Sequence, residues 1–419
     1  MSRVLLDPRA DLREQATALH AYGSVVPAQW PGGVDCWAVV GYDELETVLS
    51  DPLFSRSPLH FRALRDGEIP PDWPMTDHLN RQWMLTADGA DHTRLRRTAV
   101  SAFTPGNIRR LRPEVESAVG RLLAGLVAAG RPFDLRAEFA LPLALDVLCS
   151  LLGVPAAERA EASSLVHRAL SRAALTADES RRLSAEIRGF LGGLLERPGR
   201  SGGLVADLAR SVEAEALTRQ EAQDTLWLFL AAGFDTTVAA LVNAVRALLG
   251  HPDRLRGVLG GEVPWEDVVE EALRYDSSVF ALPFAFPRRD VTLGGQPVRE
   301  GDALLLCYTA ANLDPRRTAG DRFTGSAPPR HLAFGRGPHY CLGAPLARLQ
   351  LRTALAGLFT FLPHLRATAR PGPPIASLTV NSPQSLMVSD APCPAARHGG
   401  SPDDPARWGD PVLCPGVAG

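Results

Sequence analysis

Apolar residues recur at three- and four-residue spacing through most of positions 92–255, which is the period of an amphipathic helix. Breaks fall near Pro105, Pro132, Pro155 and the Pro198–Gly203 turn. Residues 224–249 are apolar on every side, so this stretch reads as a central helix rather than a surface one. Shorter helices are predicted over 10–22 and 43–51. They flank a strand, Cys36-Trp37-Ala38-Val39-Val40, that follows a Pro-Gly-Gly turn. The pattern turns strand-like over 279–308, with Val279–Leu282, Val291–Leu293 before a Gly-Gly turn, and Ala303–Leu306. Helix returns after Cys341, and a small strand pair is expected within 375–389. Residues 55–83 are rich in Pro, Asp and Arg without periodicity. They are expected to form a long loop, and long loops in compact proteins often cover substrates. The expectation is a single domain over 1–390, mainly α with a minor β region at about 30–60, 279–308 and 375–389. The Pro- and Gly-rich residues 391–419 are expected to be a disordered tail.

Composition narrows the classes. With 45% apolar and 22% charged residues the chain can bury a large core, and its net charge of -3 argues against a nucleic-acid binder. Every cationic side chain is arginine, since lysine is absent, as the codon bias of a GC-rich genome would produce. Six cysteines (Cys36, Cys149, Cys307, Cys341, Cys393, Cys414) lie far apart with no CxxC pair, which suits a reducing cytoplasm. The N-terminus has no signal-type apolar region, and no uninterrupted apolar run reaches the ~20 residues of a membrane span. A cytoplasmic protein with no membrane partner is expected.

The chemistry centres on Cys341. Gly335, Gly337 and Pro338 precede it in what should be a tight loop, and Pro345 fits the first turn of the helix that follows. The sulfur therefore sits before a helix N-terminus, where free N–H groups and the helix dipole favour an anion. A soft anionic sulfur with no second cysteine nearby suits haem iron better than zinc or an iron–sulfur cluster. Cys36, Cys149 and Cys307 read instead as small buried hydrophobes. The pattern Phe334-x-x-Gly337-x-His339-x-Cys341-x-Gly343 resembles the haem-binding loop of the cytochrome P-450 family, position by position. The resemblance implies the family fold, with haem b (iron protoporphyrin IX) between a distal helix and the cysteine loop. It implies Cys341 as axial iron ligand, Phe334 packed near the sulfur, and His339 at a haem propionate.

Three further motifs, in the family's order, carry the resemblance over roughly residues 10–390. Ala232-Gly233-Phe234-Asp235-Thr236-Thr237 sits in the middle of the apolar helix, where an acid beside an alcohol is expensive without a task. Gly233 weakens the helix and leaves room for an approach to its backbone. The likeness to the family's distal-helix motif implies that Asp235 and Thr236 relay protons to dioxygen at the haem. Glu271 and Arg274 resemble the family's ExxR pair, completed by Arg322 of Asp321-Arg322-Phe323 as a structural third member. His92 and Arg96, one helical turn apart, resemble the family's propionate-binding His-x-x-x-Arg, with Arg94 and Arg97 turned outward. One departure stands out: Pro283-Phe284-Ala285-Phe286 has alanine where relatives often carry a propionate-gripping arginine. Haem retention should then lean on His92, Arg96 and His339, or on Arg288.

If the family fold holds, an apolar substrate pocket would be lined by Trp83, Trp227, Phe229, Phe280, Leu282 and Phe284. The leading expectation is dioxygen-dependent hydroxylation of a small apolar or aromatic molecule in bacterial secondary metabolism. Oxidative C–C or C–N coupling on the same haem is an alternative, and a non-catalytic haem-thiolate sensor is another of a different class. With no flavin- or NAD-binding glycine fingerprint, electrons should come from a separate ferredoxin and ferredoxin reductase. Arg97, Arg336 and Arg348 are candidates for the docking patch.

Overall fold

The structure is a computed structural model that describes residues 3–70, 73, 75–170, 177–197, 203–317, 322–324 and 330–390. The expected tail, with Cys393 and Cys414, lies outside these residues, as does Asp321.

A helical body surrounds the central helix Arg219–Leu249. Thr218 caps its start: the threonine hydroxyl accepts from Glu221 N (3.1 Å), and Glu221 Oε2 accepts from Thr218 N (2.8 Å). Most of this helix is buried against the helices Leu141–Leu152, Trp265–Tyr275 and Ala344–Phe361. Among the described residues it is the one helix long and apolar enough to cross a membrane, and its apolar surface is spent inside the protein. The proximal helix Ala344–Phe361 starts directly after the cysteine loop, with Pro345 in its first turn as the sequence predicts. It packs on the long helix Pro105–Ala129, which Thr104 caps and Gly130 ends in the left-handed conformation (φ 59°).

The strands are, in chain order, β1 (Val4–Leu5), β2 (Val25–Trp30), β3 (Val34–Val39), β4 (Phe54–Ser55), β5 (Phe133–Asp134), β6 (Leu282–Pro287), β7 (Val291–Leu293), β8 (Gln296–Val298), β9 (Leu304–Leu306), β10 (Arg366–Ala367) and β11 (Met387–Ser389). One sheet has the order β1-β2-β3-β9-β6-β4. β2 is a strand the periodicity does not predict. It pairs antiparallel with β3 across the Pro31-Gly32-Gly33 turn, from Val25↔Val39 to Trp30↔Val34. The strand expected at Val279–Leu282 begins at Leu282 instead and runs to Pro287. β11 does not pair within 375–389; it lies between β10 and β5, tying the C-terminal segment to the helical body.

The segment 55–83 departs from a plain loop. Short helical turns cover Pro58–His60, Arg62–Arg65 and Thr76–Leu79, and Phe61, Trp73 and Leu79 are buried. These side chains explain the order. Trp73 stacks on Phe284 (6.0 Å between centroids), Trp30 meets Phe284 edge-on (5.7 Å), and Phe61 stacks on Phe286 (5.0 Å).

Candidate haem site

Cys341 is the exposed one among the four described cysteines. Its sulfur nonetheless lies among protein atoms, in a recess open enough for a bound group to reach. Burial pushes the thiol up, against the backbone N–H groups of Gly343 and Ala344 and the charges of Arg96 and Arg348. The loop is pinned by Cys341 N donating to Phe334 O (2.9 Å). It is also keyed to its surroundings at Gly337, where a Cβ would lie 2.4 Å from the Leu49 carbonyl oxygen, at a φ of +69°. Cys36 (thiol at about 12), Cys149 (about 11) and Cys307 are buried, each held up by desolvation, as expected of small hydrophobes.

The proximal side carries a network that the motifs do not reveal. Arg348 binds Glu270 through Nε (2.5 Å) and Nη2 (2.8 Å) and lies 4.5 Å over the Phe334 ring. His331 Nε2 meets the same carboxylate at 3.0 Å. Burial opposes ionisation of Glu270, but these two partners outweigh it and hold the acid near 2. Arg348 is therefore committed to bracing the loop, and Arg336 pairs with Glu46 (3.0 Å). Of the three arginines expected to form a docking patch, Arg97 alone is exposed without an ion pair among the described residues.

Beside the loop, His92 and His339 bring their rings within 4.1 Å. His92 is buried, and its Nε2 has no hydrogen-bond partner among the described residues. Burial together with Arg56, His92 and Arg96 drives His339 down to about 2. His92 is lowered by burial and by Arg96. Arg96 donates to Tyr340 O (2.6 Å). These nitrogen donors, His92 buried and Arg96 and His339 half-buried, gather where positive charge is in excess and fit the carboxylates of a bound haem. The thiol completes the fit. A lone sulfur with no cluster of three or more His, Cys, Asp or Glu to join it, among the described residues, suits a metal whose other ligands a porphyrin brings. Arg288, a candidate to replace the arginine missing at 285, pairs with Asp88 (3.0 Å) instead. Arg94 does not simply face outward: it clamps Glu221 at the start of the central helix (2.5 and 3.2 Å).

In the buried central helix, Ala231 and Ala232 are exposed, which marks the helical face turned to an internal recess. Gly233 does not open onto that recess. A Cβ there would meet Leu148 Cδ1 at 3.1 Å, so the glycine lets two helices pack closely. Thr236 donates to Ala232 O (2.6 Å) and Thr237 to Gly233 O (2.8 Å), yet the helix runs through unbroken.

Burial raises the Asp235 carboxyl to about 6, only partly offset by Arg136, whose Nη2 lies 3.9 Å away. Arg136 is buried and begins the π-helical stretch Arg136–Ala140; it also reaches Ser382 Oγ at 3.5 Å. Because the folded carboxyl titrates above its unfolded value, stability falls as pH rises from about 4 to about 6 and stays low above that. A difference of this size corresponds to about 3 kcal/mol. Asp235→Asn should therefore unfold in urea with a margin roughly 1–3 kcal/mol larger than the parent's at pH 7.5, a gain that vanishes near pH 4. A gain equal at both pH values would mean that the buried charge is not its source.

Glu271 and Arg274 are fully buried. Arg274 Nε and Nη2 donate to Glu271 (2.8 and 2.9 Å), Nη1 to Asn312 O (3.2 Å), and Nη2 to Arg322 O (2.6 Å). Arg322 thus contributes its main-chain carbonyl, and the residue is itself exposed. Thr324 supplies the remaining donors to Glu271, from N (2.7 Å) and Oγ1 (2.8 Å).

The expected pocket residues do not converge. Phe280 and Phe284 are buried in the core beneath the sheet, because the 55–83 aromatics pack against Phe284. Phe229 stacks on Phe103 (5.0 Å), and Trp83 is buried. Trp227 lies near Arg81, which also faces Trp83. Leu282, at the start of β6, keeps partial exposure.

A family model described as Cytochrome P450 matches residues 265–366. The chain is 32% identical over 376 residues to 2-hydroxy-5-methyl-1-naphthoate 7-hydroxylase of Streptomyces carzinostaticus, a match that covers 87% of this chain and 91% of the relative. It is 34% identical over 389 residues to cytochrome P450 monooxygenase PikC of Streptomyces venezuelae, covering 87% of each. The solved structure of CYP154A1 from Streptomyces coelicolor A3(2) superposes with a TM-score of 0.85 at 34% identity, over 92% of this chain and 99% of that one. The chain belongs to the cytochrome P450 family. It is a haem monooxygenase, and these relatives favour oxygenation over oxidative coupling or a non-catalytic sensor.

Proposed function

We propose that this monooxygenase hydroxylates a small apolar or aromatic molecule of bacterial secondary metabolism, with haem b as cofactor. The observation that carries the proposal is the exposed Cys341 thiol at the root of the proximal helix, with Asp235 and Thr236 on the central helix packed against that helix. Aromatic substrates are supported by the naphthoate hydroxylase among the relatives. Cys341 would ligate the iron within a loop shaped by Gly337 and Gly343. Phe334 would sit behind the sulfur, and His92, Arg96 and His339 would hold the carboxylates. Ala232, exposed on the central helix, would form the helical wall beside the ring. When bound, haem supplies the centre at which dioxygen is reduced and one oxygen atom passes to the substrate.

The chain's own task is to deliver protons. Asp235, titrating at about 6, can take up and release a proton near neutral pH. The Thr236 hydroxyl already donates to Ala232 O, so its oxygen is left to accept a hydrogen bond from the recess. Electrons come from a separate ferredoxin and its reductase, in the cytoplasm. Arg97 and Arg109, exposed and without an ion pair among the described residues, support an acidic docking partner.

A substrate found by difference spectra against natural-product precursors allows the test, with a surrogate ferredoxin and reductase. Thr236→Ala should keep consuming reducing equivalents and dioxygen while product per electron pair falls about tenfold and peroxide rises. Full coupling in this variant would place the proton relay elsewhere.

A further inference from the structure

Arg56 lies just beyond β4, is 7% exposed, and its guanidinium has no ion pair among the described residues. A buried cation in this state calls for an anion. Asp88 does not supply it, because its oxygens already accept from Ser55 Oγ, Arg56 N and Arg288 Nη2. β4 and β6 pair antiparallel through Phe54↔Pro287 and Ser55↔Phe286. Continued by one residue, that register sets Arg56 opposite Ala285, and residues opposite one another share a sheet face. Ala285 is small and wholly buried, so the long side chain meets no competitor from the neighbouring strand.

Independent evidence comes from His92, which is 5% exposed with its Nε2 unpartnered. Arg56 is close enough that its charge opposes protonation of His92, whose ring lies 4.1 Å from that of His339. Four nitrogen-bearing side chains from three separate segments therefore gather beside Asp88, whose oxygens are already engaged by Ser55, the Arg56 main chain and Arg288. We propose that Arg56 pairs with a haem carboxylate, so that Arg56 and Arg96 supply one guanidinium for each of the two acids while His92 and His339 serve as further donors. This rests on the haem reading above and assigns that site a residue outside the family's motifs.

The test is haem loss from the purified holoprotein to excess apomyoglobin, for the parent and Arg56→Gln. Each is loaded either with haem or with its dimethyl ester, which lacks the acids. Arg56→Gln should lose haem at least tenfold faster, yet lose the ester at the parent's rate. Equal acceleration for both, or none for haem, overturns the proposal. If Arg56→Gln does not accumulate, Arg56→Lys replaces it and should show a smaller acceleration confined to the free acid. A parent without a thiolate-type ferrous–carbonyl band is a different failure, that of the haem assignment itself.

Discussion

Cys341→Ser is expected to purify as a folded protein that lacks the thiolate-shifted ferrous–carbonyl band and all oxygenase turnover. A serine oxygen keeps the volume of the side chain, and the loop keeps its other ties: Cys341 N to Phe334 O, and Arg348 on Glu270. Folding should therefore survive. A neutral alcohol cannot push electron density into iron as a thiolate does, and that push drives O–O cleavage. Absorption of the reduced, carbonyl-treated variant is the measurement. A parent-like band in the serine variant would falsify the assignment of the iron ligand to this sulfur.

Loss of folding is instead the expected result for Glu271→Ala. The variant leaves Arg274 charged, fully buried and without its carboxylate, and it removes the acceptor of two Thr324 hydrogen bonds. Breaking a buried pair by removing one partner costs about 3–5 kcal/mol. Native margins are about 5–15 kcal/mol, so much of the stability goes with this one residue. Urea unfolding of whatever soluble protein accumulates measures the loss. A change below about 1 kcal/mol would show that the pair is solvated in solution, as an ordinary surface i,i+3 pair is.

The legible part of the fold was that in which one element carries its own signal. The helical body, the apolar central helix, Pro345 in the first turn of the proximal helix and β7 with its Gly-Gly turn were all readable in the sequence, because periodicity and capping are local. β2 was missed because Val25–Trp30 has no clean alternation and contains Pro27; its partner β3 makes it a strand. Pairing also decides where β6 begins and sends β11 to β5. The site divides in the same way. Cys341, His92, Glu271 and Asp235 stand in motifs. Arg56, Arg136, Glu270 and Thr324 act through contacts with residues far off in sequence, and no spacing announces them. Glu270 had one signal available, its place beside Glu271. Phe280 and Phe284 were misplaced for a related reason: an aromatic side chain carries no mark that separates cleft from core, and Trp73 and Phe61 claim Phe284 and Phe286 for the core.

The keyed contact at Gly337 separates it from Gly335, its neighbour in the loop. Both have left-handed backbones, with φ of +69° and +70°. At 335 an added methyl would find its nearest neighbour 3.8 Å away, so alanine there is opposed by torsion alone, about 1–2 kcal/mol. At 337 the same methyl collides with the last turn of the helix Tyr42–Ser50. The first position is a matter of energy and could drift under a modest stabilising change elsewhere. The second is a matter of room, and no distant compensation creates space beside a carbonyl.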